Sequence, residues 1–318
     1  MRLFATPQSG AGIMRGGALP QRNVPRRGPQ GSLLHASRLA IHAFLLVLSF
    51  LFLAPLILMI SASFSSETAI SKYGYSLFPR AFTTAAYQYI LQDPSQILTA
   101  YGVTITVTLI GTCVGVLVMA LLAYPLSRKD FFLRKPLSFY VFFTLLFNGG
   151  IVPLYILVTH YLQLKDTLSA LILPYLVMPW YVLLLRTYFA ALPRELIDAA
   201  RVDGASEWRI FFRIVVPLSR PALATVALFC ALVFWNDWYL ALLFINNPSL
   251  VPLQYLLYQI STDITVLQTS SQAFGVQVPA LSAQMAIAVL AVGPITLAFL
   301  LVQKYFVSGI TLGGVKGD

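Results

Sequence analysis

Few side chains among these 318 residues are of types that could carry out chemistry. The three histidines, His35, His42 and His160, have no carboxylate or cysteine partner at a useful spacing. Cys113 and Cys230 both fall inside apolar runs, so neither a disulfide framework nor a thiolate metal site follows from them. No Ser-His-Asp pattern and no paired carboxylates appear in the apolar segments, and the chain reads as a non-enzyme with no catalytic or metal-ligating residue. Two stretches remain. One is Trp235-Asn236-Asp237-Trp238, which places an acid inside an apolar run. Aromatic planes beside amide and carboxylate acceptors suit sugar rings, whose hydroxyls need partners and whose C–H faces stack on aromatics. An interfacial tryptophan belt, or an Asp237 hydrogen-bonded within a bundle, accounts for the same pattern equally well. The other stretch is the charge-dense segment from Leu192 to Pro217.

Both stretches sit in a chain that is 58% apolar and only 10% charged, with a mean hydropathy of +0.79. Soluble domains average about 25% charged residues, because charge is what covers their surface. That excludes an ordinary cytosolic enzyme, a disordered chain and a nucleic-acid-binding domain. The net charge of +10 is confined to short connections between apolar runs. Six runs are long enough to span a bilayer, at 38–61, 100–126, 137–158, 168–190, 221–245 and 279–303. Their length and continuity predict helices rather than barrel strands. The fold class expected is an all-α integral membrane protein with six transmembrane helices.

Eighteen of the 21 basic residues lie in the head, in 127–136, in 186–220 and in the tail; only Lys72, Arg80 and Lys165 lie on the opposite side. The positive-inside rule then puts both termini in the cytoplasm of a multi-pass inner-membrane protein. Residues 1–37, rich in Gly, Pro and Arg, read as a disordered basic arm near anionic lipid, ahead of a permease-sized domain at 38–318. The external connections 62–99 and 246–278 read as polar loops.

Within the charged segment, Pro193 suits the first helical position, and Leu196, Ala199 and Ala200 recur at helical spacing. Gly204 suits the left-handed position past a helix end, and Ser206 can cap a second helix with Glu207 in its first turn. Trp208, Phe211, Phe212 and Val215 form a stripe on that helix, which Pro217 ends. Pattern alone gives a cytoplasmic helix pair lying on headgroups as readily as one that docks a protein. In the third run, Asn148-Gly149-Gly150 permits either a helix break or plain close packing, with packing slightly favoured.

The residues of the charged segment carry a resemblance. Asp198-Ala199-Ala200, Asp203-Gly204-Ala205, Phe211, Ile214 and Pro217 resemble the EAA loop of binding-protein-dependent ABC importer permeases, two spans before the C-terminus. Asp198 stands where the family has its usual glutamate. Phe147-Asn148-Gly149-Gly150 with Pro153 and Tyr155, and Trp235-Asn236-Asp237-Trp238, are similar to the carbohydrate-uptake branch, of the maltose-permease G-subunit and LplC-like kind. The likeness runs from about residue 40 to the C-terminus. It implies the type I importer (MetI-like) permease fold and a subunit of an ATP-driven sugar or oligosaccharide importer. It further implies a second permease subunit forming a heterodimer, two ABC ATPase subunits that bind ATP and Mg, and an extracytoplasmic solute-binding protein. Coupling to the ATPase would fall to Glu195, Asp198, Ala199, Ala200, Asp203, Gly204 and Ala205. The substrate path would include Asn148, Trp235, Asn236, Asp237 and Trp238. No G-x-x-x-x-G-K-[ST] loop occurs, so ATP would be held elsewhere and no cofactor is expected in this chain. The alternative is a secondary transporter or channel working without ATPase subunits. It would call for ionisable groups in several spans, and only Asp237 qualifies.

Overall fold

A computed structural model describes residues 30–92, 94–274 and 279–313. Among the described residues the secondary structure is helical, apart from an isolated bridge between Ser65 and Phe82. The chain divides after Leu53. In the first unit, residues 38–53 are helical and expose Leu39, Phe44, Leu46 and Phe52.

Three helical stretches are by themselves long and apolar enough to cross a membrane: Arg38–Ser63, Pro94–Ser127 and Ala280–Leu297. The other three runs of the sequence are bent. Arg134–Leu146 and Ile151–Tyr161 meet at 111°, and Leu168–Tyr175 and Pro179–Ala190 at 51°. Six spans result when each bent run counts as one, which matches the expected number. For the fifth, composition would join Glu207–Leu218 to Arg220–Asn236 across an 81° bend. The first of these carries Glu207, Arg209 and Arg213, so it is a poor candidate for hydrocarbon. The better membrane run is Arg220–Asn236 continued by Tyr239–Phe244.

The third run departs most from the straight helix the sequence suggested. Gly150 has φ +85°, and Phe147 is extended, so the backbone leaves the helix over 147–150. Packing was the favoured explanation of the two glycines; the structure shows a break instead. The 13-residue leg Arg134–Leu146 is about 20 Å long at 1.5 Å per residue, well short of an approximately 30 Å core. The fifth run is also broken, at Asp237, where φ and ψ are −75° and 118°.

Two buried cores hold the second unit together. One joins Phe234, Trp235, Phe244, Leu253, Leu256 and Ala283. Helix Leu253–Phe274 contributes its face Leu253, Leu256, Leu257 and Ile264 to it. The sequence reading made this stretch a loop. The other core joins Met119, Leu126, Leu185 and Phe189 to Ile197, Ile210, Phe211 and Val215 of the charged segment. The second span runs through both cores. Its Gly111 lies against the Phe234 ring so closely that a Cβ there would come within 2.6 Å of a ring carbon.

Candidate functional site: the charged helix pair and two broken spans

The charged segment forms helix Arg194–Val202, a turn, and helix Glu207–Ile210 continued by a π-helical turn Phe211–Val215. Pro193 is the N-cap rather than the first helical residue, a one-residue shift. Gly204 has φ +75°, the left-handed conformation expected of it. The Ala205 N–H donates to the Ala200 carbonyl at 2.9 Å, and the Gly204 N–H to that of Arg201 at 3.0 Å, which satisfies carbonyls at the helix end. The Ser206 hydroxyl oxygen accepts from the Arg209 N–H at 3.4 Å and caps the second helix.

Helix Arg194–Val202 buries one position, Ile197. Leu196 and five of the seven nominated coupling residues, Glu195, Asp198, Ala199, Asp203 and Gly204, are exposed; the other two, Ala200 and Ala205, are half-buried. The Trp208-Phe211-Phe212-Val215 stripe splits. Phe211 and Val215 are buried, while Trp208 and Phe212 stack on each other outside at 6.1 Å. The π turn adds residues per turn and so rotates the second half of the helix relative to the first.

Glu207 joins the pair to the spans. One carboxylate oxygen accepts from the Tyr124 hydroxyl at 2.6 Å and the other from Nε of Arg201 at 2.9 Å. Arg201 also pairs with Asp130 at 3.0 Å and approaches Asp198 at 4.0 Å. Burial works against the Arg201 cation, and its bond to Glu207 with the charges of Glu207 and Asp130 outweighs that, so its pKa is raised. Beside this hub, Arg134 and Arg186 both donate to the Leu126 carbonyl, at 3.1 and 3.2 Å. Two cations thus close the C-terminal end of the second span, where the helix dipole favours them.

The nominated path residues do not form one group. Trp235 is buried, and its Nε1 donates to the Ala291 carbonyl at 3.1 Å. Asp237 accepts from the Tyr175 hydroxyl at 3.1 Å and from the Leu240 N–H at 3.3 Å. It therefore caps helix Tyr239–Phe244 and answers a half-buried tyrosine within the bundle. Asn236 is exposed, and its amide donates to the Leu232 carbonyl at 2.8 Å. Asn148 is exposed in the other break, where its side-chain oxygen accepts from the Gly150 N–H at 2.8 Å. Trp238 stands apart. It is 38% exposed and stacks on Tyr258 at 4.6 Å and 20°, and Tyr258 in turn stacks on Tyr255 at 6.5 Å. Tyr255 lines a cavity of about 300 Å³ with Gln96, Asn246 and Gln259. That aromatic ladder is half the work of helix Leu253–Phe274, whose i, i+3, i+4, i+11 leucine and isoleucine spacing was the signal available in the sequence.

Residues 117–312 match the family model described as the binding-protein-dependent transport system inner membrane component. This chain belongs to that family. It is 38% identical over 265 residues to Protein LplC of Bacillus subtilis, covering 83% of this chain and 89% of that protein. It is 38% identical to the polygalacturonan/rhamnogalacturonan transport system permease protein YtcP of the same organism, covering 87% and 97%. Among solved structures it superposes with a TM-score of 0.72 and 27% identity on a chain of a bacterial ABC transporter involved in the import of the acidic polysaccharide alginate, covering 89% of this chain and 99% of that one.

Family membership makes the chain a transport permease of an ABC importer, with the MetI-like fold, and sets aside a transporter that works without ATPase subunits. An importer of this kind works with a partner permease, ATPase subunits and a solute-binding protein. The matched region contains the helix pair, both broken later spans and the aromatic ladder. It begins just ahead of Tyr124, so the Glu207 hub lies inside it as well.

Proposed function

We propose that this chain forms half of the translocation path of an oligosaccharide importer in the bacterial cytoplasmic membrane, both termini lying in the cytoplasm. The second half is a different permease, giving a heterodimer. Two ATPase subunits carry ATP and Mg, and an extracytoplasmic binding protein delivers the solute. Residues 1–37 serve as a basic arm on anionic lipid. The chain itself transports without catalysing any covalent reaction.

The observation that carries the reading is the helix pair. It exposes Glu195, Asp198, Ala199, Asp203 and Gly204, while Ile197, Ile210 and Phe211 fix its other face to the second and fourth spans. A small-residue surface allows close approach of another backbone, and the buried face passes displacement on to the spans. On the solute side, Trp238, Tyr258 and Tyr255 offer stacked ring faces, and Gln96, Asn246 and Gln259 supply amides. Neutral amides and rings bind hydroxyl-rich molecules. Relatives described as permeases for polygalacturonan/rhamnogalacturonan and arabinooligosaccharides support that class.

The test is co-purification of the tagged chain with the products of neighbouring permease and ATPase genes, followed by ATPase assay with and without binding protein. Binding-protein-stimulated hydrolysis is expected only with both permeases present. Solute uptake by the isolated chain in liposomes would overturn the reading.

A further inference from the structure

We propose that the joint between the second span and the helix pair is a binding site for one anionic phospholipid. Two adjoining cavities share Arg128, Asp130 and Arg201. The larger, about 450 Å³, has an apolar wall that includes Leu121, Pro125, Phe131, Trp208 and Phe211. The smaller, about 230 Å³, adds Lys129, Arg194 and Asp198.

Arg128 lies between the two. Its guanidinium sits over the Tyr124 ring at 4.8 Å from the centroid. Its Nε and Nη2 are buried, and among the described residues neither finds an acceptor. A guanidinium is always charged and is built to donate, so buried donors left unmatched call for an anion. The nearby acids are engaged. Glu207 serves Tyr124 and Arg201, and Asp130 serves Arg201. Around the smaller cavity four cations, Arg128, Lys129, Arg194 and Arg201, face two acids, Asp130 and Asp198.

The occupant must therefore bring negative charge and an apolar body together. A phosphodiester matches the planar fork of an arginine, and an acyl chain matches the Leu121–Phe211 wall. The site lies at the end of a span, with Trp208 exposed beside it, at the depth where headgroups and aromatic residues meet. A free phosphate would answer the charge and leave the apolar wall uncovered. The arginine-rich head of the sequence carries no acid and cannot supply the anion. Assigning the site to the cytoplasmic leaflet, where anionic lipid exerts its surface potential, rests on the orientation proposed above. The existence of the site does not.

The experiment uses the full chain in a neutral detergent, delipidated, with native mass spectrometry and thermal unfolding as readouts. Phosphatidylglycerol, phosphatidylcholine and inorganic phosphate are added separately. One phosphatidylglycerol per chain is expected to be retained, with a rise in Tm that the other two additives do not give. Arg128→Gln should weaken retention about tenfold, the loss of roughly one hydrogen bond to a charged group. Arg128→Lys should recover part of it. Leu121→Trp, which fills the apolar cavity and leaves the charges in place, should also displace the lipid and keeps the test open if Arg128→Gln does not fold. Equal retention of phosphatidylcholine, unchanged retention in the Arg128→Gln or Leu121→Trp variant, or a full Tm rise with inorganic phosphate alone would each overturn the proposal. None of these readouts involves transport, so a failure here is distinct from a failure of the importer reading.

Discussion

Gly150 and Gly204 both sit at positive φ, and at both an added Cβ would meet nothing within 4 Å. Their surroundings differ. Around Gly204 the backbone bonds of Ala205 and Gly204, the Ser206 cap and the Arg201–Glu207–Tyr124 chain close the turn from several sides. Around Gly150 the turn itself has one side-chain bond, from the Gly150 N–H to the Asn148 oxygen, and the leg Ile151–Ile156 buries none of its residues, though Tyr155 stacks on Phe244 and Leu154 packs against the core. The same residue in the same backbone region thus makes a fixed corner in one place and a loosely held joint in the other. A glycine turn is as rigid as what surrounds it.

The strongest test of that contrast is a pair of valine substitutions. A β-branched residue at positive φ costs about 1–3 kcal/mol in either place. At Gly204 the tied neighbours prevent relaxation. Gly204→Val should reach the membrane at normal amounts yet lose solute-stimulated ATPase about tenfold. Gly150→Val should relax through its loose leg and keep most of that stimulation. Equal losses in the two variants would break the comparison.

A smaller effect separates the bundle from the path. Asp237→Ala removes the cap of Tyr239–Phe244 and the partner of Tyr175. It should lower the yield of assembled complex, with uptake per complex little changed. Trp238→Ala should do the reverse, cutting normalised uptake about fivefold for a lost ring contact worth about 1 kcal/mol. Initial uptake rates divided by assembled complex decide the matter. A Trp238→Ala rate equal to wild type removes the ladder from the path.

Smaller again is Glu207→Gln. The amide can still meet Tyr124 but loses the ionic part of the Arg201 contact, which is half exposed and screened. A two- to threefold fall in ATPase stimulation is expected, roughly 0.5 kcal/mol. No fall would mean that the buried face alone fixes the corner.

The smallest effect is a pH dependence at the far end of the molecule. Asp166, at φ +58°, accepts from the N–H groups of Asn246 and Asn247. Those bonds hold its carboxyl below the usual value of 3.8. A depressed folded pKa contributes stability above that usual value and loses it as pH falls through the folded value. Stability between pH 5 and 8 should therefore be flat with respect to this group, and Asp166→Asn should lower Tm slightly at neutral pH and by less at pH 3. A parallel offset at both pH values would contradict the assignment.

The positions of the spans were legible because a run of about 20 apolar residues has few other uses. The Gly204 corner was legible because a glycine, a cap and an acid stand at 204, 206 and 207 with one local meaning each. The breaks were harder to read. Asp237 itself leaves the helix and accepts from the Leu240 N–H of the helix that follows, and the tyrosine that meets its other oxygen, Tyr175, lies 62 positions away. Likewise Trp235 was taken with its neighbours as one aromatic group, whereas its partner is the Ala291 carbonyl on the sixth span. The π turn at Phe211–Val215 carries no residue signature at all, and it decided which half of the aromatic stripe is buried.

The contact of Gly111 with Phe234 also sets a clock on biogenesis. The two residues are 123 positions apart in the chain. At about 5–20 residues per second, the ribosome takes roughly 6–25 s to make that stretch. During those seconds the second span sits in lipid with its glycine face uncovered and the ring that fills it not yet made. A nascent chain stalled anywhere between them leaves that face without the ring that covers it. Faster decoding of the stretch 112–233 should raise the yield of intact protein with no amino acid changed.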